Sequence, residues 1–106
     1  MSDYTNPTDK SISRGVVPEN GVQSALGVTA DALVKVGFGR VFAVTVVVAG
    51  SGVGGVYDAD SVAHAAAGNQ IYITPQAVGT VILSWPCGSG IVVKPGSGQT
   101  IAVSYA

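Results

Sequence analysis

Arg40-Val41-Phe42-Ala43-Val44-Thr45-Val46-Val47-Val48 is the stretch on which the fold turns. It is rich in β-branched residues and free of glycine and proline, the composition of a strand. Side chains alternate between the two faces of a strand, and here both sets are apolar: Phe42, Val44, Val46 and Val48 on one face, Val41, Ala43 and Val47 on the other. A strand apolar on both faces is covered on both sides, and in a small sandwich a neighbouring subunit can be one of the covers. Left bare, such an uncharged run is prone to aggregate. Arg40 stands at its start as a gatekeeper.

Short runs of the same kind flank it. Upstream, Val34, Val36 and Phe38 share a face. Downstream, Gly50-Ser51-Gly52-Val53-Gly54-Gly55 turns the chain into Val56-Tyr57. Residues 58–68 read either as a loop or as one helical turn through Val62–Ala67, capped by Asp60 or Ser61 and stopped at Gly68. Ile71 and Ile73 point one way in a strand ended by Pro75. In Thr80–Trp85, Val81, Leu83 and Trp85 point inward, Thr80 and Ser84 outward, and Pro86 closes the strand. Ile91–Lys94 and Gln99–Tyr105 read as a hairpin around Pro95-Gly96-Ser97-Gly98, with Pro95 and Gly96 central in a type II turn. About seven short strands at this spacing predict an all-β fold, a small antiparallel β-sandwich of jelly-roll type, over residues 28–106. Residues 1–27 differ. They are polar, broken by Pro7, Gly15, Pro18, Gly21 and Gly27, and read as an extended N-terminal arm. Its apolar pieces, Val16-Val17 and Ala25-Leu26, are suited to latch onto a partner or onto the domain's own edge.

Charge is the informative quantity. Charged residues make up 10% of the 106 and the formal net charge is -1, against about 25% charged in ordinary globular domains. Neither nucleic acid nor an anionic membrane is favoured as a partner. Eight of the eleven charged residues precede Val41, leaving Asp58, Asp60 and Lys94 for the rest. A surface built from Gly, Ala, Ser, Thr and Val is expected to lie against other protein. No secretory leader is read at the polar start, and the Val41–Ala49 run falls far short of the ~20 residues of a membrane span. Synthesis as a soluble chain in the host cytoplasm is the expectation.

Chemistry-bearing residues are few. His64 lies near Asp58 and Asp60, but two aspartates at that spacing are turn chemistry more often than a metal site. Cys87, the single cysteine, has no orienting partner in sequence and reads as a small loop residue beside Pro86. The glycines of 50–55 lack the Lys-Ser/Thr of a phosphate loop. Tyr57, Tyr72, Trp85 and Tyr105 read as core. No enzyme, cofactor or metal is expected.

Gly79-Thr80-Val81, Ser84-Trp85-Pro86 and the run from Gly90 through Val92-Val93-Lys94-Pro95-Gly96-Ser97-Gly98-Gln99 to Val103-Ser104-Tyr105, with Val56-Tyr57-Asp58 after a glycine turn, resemble small virion proteins of tailed bacteriophages. The resemblance covers roughly residues 33–106. It implies a structural virion component of the capsid decoration (cement) type, seated on the outer capsid surface, typically as a trimer, with a terminal arm reaching neighbouring capsomers. The implied partners are the major capsid protein and further copies of the chain. Contacts are expected through Arg14, Val16, Val17 and Leu26 of the arm and Arg40, Phe42, Val44 and Val46 of the central strand. A tail, head-tail junction or fibre-attachment component is the alternative of the same class. A small carbohydrate-binding module using Tyr57, Tyr72 or Trp85 is the alternative of another.

Overall fold

A computed structural model describes residues 23–106. Arg14, Val16 and Val17, with the rest of residues 1–22, lie outside the described residues. Eight strands follow one another: β1 Gln23–Val28, β2 Ala32–Val36, β3 Gly39–Val48, β4 Gly54–Tyr57, β5 Gln70–Thr74, β6 Gly79–Cys87, β7 Gly90–Lys94 and β8 Thr100–Tyr105. Two single 3-10 turns, Val62–His64 and Ala67–Asn69, interrupt the β4–β5 connection. Ser61, one of the two capping candidates, accepts the His64 N–H through its hydroxyl.

All ladders are antiparallel, and they pair β1 with β8, β2 with β7, β3 with β6 and β4 with β5. That is the pattern of one long hairpin of paired segments. Rolling it up adds β3 against β8 and β4 against β7. The result is two four-stranded sheets, ordered β1-β8-β3-β6 and β2-β7-β4-β5. This is a jelly roll.

The core between the sheets is valine and isoleucine: Val41, Val44 and Val46 of β3, Val56 of β4, Ile91 and Val93 of β7, Ile101 and Val103 of β8, with Cys87. Each such aliphatic side chain withdrawn from water contributes about 1.5–3 kcal/mol.

Four expectations from the sequence change here. Residues 23–27 belong to the sandwich, because β1 pairs with β8 from Gln23↔Tyr105 to Val28↔Ile101; Ala25 pairs with Val103 of the domain's own edge, while Leu26 falls in the bulge and stands out to solvent.

The strand buried on both faces is β7, not β3. Ile91, Val92 and Val93 are each inaccessible to solvent, since Ala59, Ala65 and Val62 of the β4–β5 connection roof Val92 from outside. In β3 a bulge between Val41 and Ala43 shifts the alternation, so that Val41 joins Val44 and Val46 inside. Ala43, Thr45 and Val47 are left on the outer face.

In β2 a bulge between Leu33 and Lys35 has the same effect. Val34 packs on the core, while Val36 and Phe38 are exposed instead of sharing its face.

Finally, residues 91–94 and 99–105 form no hairpin. They are β7 and β8, one in each sheet, joined by an arch. The tight turn lies two residues later than the sequence suggests, with Gln99 N–H donating to the Gly96 carbonyl at 2.9 Å. Gly98, not Gly96, takes the positive φ of +71° at its third position, the pattern of a type II turn. Gly96 serves another purpose. A Cβ there would strike the backbone of Gly52, so the arch and the 50–54 loop lie backbone against backbone. Gly50 and Gly52 are turn chemistry, as expected, whereas Gly54 and Gly55 open β4; Gly50, Gly52 and Gly54 make room for this approach.

Candidate assembly surface

The outward face of the β1-β8-β3-β6 sheet is built in cross-strand rows. Ser104, Ala43 and Ile82 lie side by side, and so do Ala102, Thr45 and Thr80. Thr45 and Thr80 hydroxyls hydrogen-bond at 2.8 Å, using up polar capacity that would otherwise need water. Leu26 stands at the β1 side, 76% exposed, and Ile82 at the β6 side, 81% exposed. Between them Ser24, Leu26, Ala43, Thr45, Ala102 and Ser104 line a shallow depression of about 180 Å³.

The four strands of this sheet carry one charged side chain, Arg40. It stands at the end of β3 and donates through Nη1 to the Ser84 carbonyl at 2.7 Å. Small uncharged side chains on a β-sheet make a flat surface that loses little hydration when covered, which is the requirement for a protein contact.

The contact residues read from sequence are distributed as follows. Leu26 and Arg40 are on the surface and Phe42 is half-buried. Val44 and Val46 are 1% and 2% exposed, so both serve this chain's own core and neither can touch a partner. The β3 bulge is the reason. The surface that replaces them is Ala43, Thr45 and Val47 on β3 with Ile82 on β6. The alternation around 40–48 contained both sets, but nothing in the sequence marked the bulge that chooses between them.

The chemistry-bearing residues do not converge. Asp58 turns to the β6–β7 turn, where it accepts N–H groups from Ser89 at 2.8 Å, Gly88 at 3.0 Å and Gly90 at 3.3 Å. Asp60 pairs instead with His64 on the surface, and the hydrogen bond from the imidazole holds its carboxyl below the usual range. Among the described residues no group of three His, Cys, Asp or Glu side chains is placed to hold a metal ion.

Cys87 is buried, and its thiol contacts the Trp85 carbonyl. Burial, with the nearby Asp58 charge, pushes it up to about 11. Reaction with iodoacetamide at pH 8 is therefore expected to be roughly a hundredfold slower in the native chain than in urea, because the thiolate is the nucleophile. Timed mass spectrometry reads the difference.

Tyr57 and Tyr72 pack on the two apolar clusters from the β2-β7-β4-β5 sheet, Tyr57 beneath Lys94 Nζ. Tyr105 packs on the core as expected, whereas Trp85 is half exposed and sits in the other sheet from Tyr57 and Tyr72. These three aromatics lie on opposite sheets and so form no common stacking platform. A second depression, about 490 Å³, is lined by Ala67, Gln70, Ile71, Tyr72 and Ile73. Neither depression is lined by a carboxylate, imidazole, thiol or amine.

Sequence reading missed one group altogether. Gln99 is 1% exposed, and its side chain fastens three loops. Its Oε1 accepts from Thr74 Oγ1 at 2.8 Å and from Gly96 N–H at 3.0 Å. Its Nε2 donates to the Pro75 carbonyl at 2.9 Å. Thr74 Oγ1 accepts the Gly54 N–H at 3.0 Å. At its centre the Gln99 and Thr74 side chains are buried and satisfy one another, so the network holds the three loops together.

Comparison with protein-family models, curated proteins and solved structures finds no match.

Proposed function

We propose that this chain is a non-catalytic structural subunit of a virion, a decoration protein of the tailed-phage type. It docks through the outer face of its β1-β8-β3-β6 sheet onto the major capsid protein. One observation carries the reading: that face presents Leu26, Ala43, Thr45, Val47 and Ile82 to solvent, and the sheet behind it holds a single charge, Arg40, set at its end. A free-standing domain of this size covers its faces with charge for solubility. The resemblance in residues 33–106 supplies the class of assembly. The jelly roll is compatible with that class, although the fold alone does not choose a function.

Ala43→Arg tests the proposal. Ala43 lies mid-sheet with its Cβ outward, so the substitution leaves the core untouched and places an unpaired charge in the contact. Binding of the full chain to expanded empty shells, read by co-sedimentation, is expected to weaken at least tenfold, with an unchanged melting curve. Undiminished binding overturns the docking face. Binding to purified tails and not to shells moves the subunit to the alternative position in the virion.

A further inference from the structure

We infer that β6 is a self-pairing edge: two copies of the chain join antiparallel along Gly79–Leu83, about a two-fold axis at Val81, and extend the β1-β8-β3-β6 sheet across both. The inference does not rest on the proposed function.

An edge strand presents unpaired N–H and C=O groups that another chain can use, and proteins blunt such edges with charge, proline, bulges or brevity. Among the described residues the sheets end in four edges, β1, β6, β2 and β5. Three of them are blunted. β1 carries a bulge and the left-handed Gly27, with a φ of +64°. β2 carries a bulge and Lys35. β5 is five residues long, is followed by Pro75, and folds its Gln70 amide back toward the Tyr72 carbonyl.

β6 is different. It runs nine residues, and its guards all sit at the C-terminal end: Ser84 with a φ of +50°, Arg40 on the Ser84 carbonyl, and Pro86. From Gly79 to Ile82 there is no charge, no proline and no bulge; the register shift against β3 falls at Leu83-Ser84, where two β6 residues stand opposite Phe42. Val81 and Ile82 are exposed along this stretch, Ile82 almost fully.

The side chains select the occupant. Pairing centred on Val81 sets Val81 against its own copy, Thr80 against Ile82, and the hydrogen side chain of Gly79 against Leu83. Every pair is β-branched with β-branched or smallest with largest, and none opposes like charges. A two-fold contact of this kind is closed, because the same strand serves both subunits. It differs from the threefold arrangement that the resemblance implies. Five residue pairs cover far less than the ~800 Å² per partner of a standard interface, so the pairing is micromolar or weaker.

Sedimentation equilibrium of the full chain, from micromolar to sub-millimolar concentration, is expected to show a monomer–dimer equilibrium. Ile82→Lys should raise its dissociation constant at least tenfold. Leu26→Lys, on an equally exposed residue at the far edge of the same sheet, should leave it unchanged. Cross-linking gives a second readout. Val81→Cys sets two thiols across the axis at the Cα separation of an antiparallel pair, within disulfide reach, and should yield a covalent dimer under mild oxidation. A monomer at every concentration, a trimer, a dimer indifferent to Ile82→Lys, or a Val81→Cys chain that stays monomeric on oxidation would each overturn the inference.

Discussion

Replacing Gln99 by alanine is expected to remove about 4 kcal/mol of stability, a large share of the 5–15 kcal/mol that a domain of this size possesses. Two losses add. The first is the cavity left by a side chain 1% exposed, worth about 2 kcal/mol once partial relaxation is allowed. The second is the stranding of its partners: the fully buried Thr74 Oγ1 and the half-buried Gly96 N–H each lose a partner, and the carbonyl of the exposed Pro75 loses a donor. An orphaned buried polar group costs about 1–3 kcal/mol. Urea unfolding followed by tryptophan fluorescence checks the value, with Trp85 as the probe. Thr74→Val should cost about half as much, because it leaves the Pro75 and Gly96 bonds of Gln99 in place. The two substitutions share a network, so the double variant should lose less than the sum. Full additivity would mean that Gln99 and Thr74 act separately and that the corner is not one unit.

The same corner shows what the sequence could and could not convey. The all-β sandwich was legible because strand alternation in 40–48, 80–85 and 101–105 needs only local pattern. The pairing of β1 with β8 and of β2 with β7 was not, since partners many residues apart leave no local mark. Gly96 and Gln99 looked like one turn and are a turn, a close backbone approach and a buried clasp. Bulges defeated the face assignments in β2 and β3, because one extra residue exchanges inside for outside. Uncharged character survives such an exchange, whichever register holds. The neutral outer sheet was therefore foreseeable in kind, while the choice of Ala43 over Val44 was not.

Asp58→Ala is expected to cost about 2 kcal/mol at neutral pH and almost nothing in strong acid. Its carboxylate closes the β6–β7 turn by accepting the N–H groups of Gly88, Ser89 and Gly90. The Gly37 N–H also holds that turn, donating to the Ser89 carbonyl at 2.8 Å, and the residues Asp58 holds lead straight into β7, whose Ile91, Val92 and Val93 lie at the centre of the packing. Partial burial alone would raise the Asp58 carboxyl, but the three N–H donors outweigh it and hold the group below its ordinary value. A carboxyl whose pKa is lower folded than unfolded binds protons more tightly in the unfolded chain. Its stabilisation is therefore complete above the unfolded pKa of about 4 and is lost as the pH falls through the folded value. Charged hydrogen bonds contribute about 1.5–3 kcal/mol where they are shielded, and solvent access to this carboxylate argues for a total no larger than one such bond. Urea midpoints of the wild-type and Asp58→Ala chains should accordingly differ at pH 7 and converge as the pH falls through the lowered folded pKa of Asp58. Asp58→Asn should recover part of the loss, since its amide oxygen can accept one or two of the same donors without charge. A gap between Asp58→Ala and wild type that persists unchanged in acid would show that Asp58 acts through packing and not through its charge.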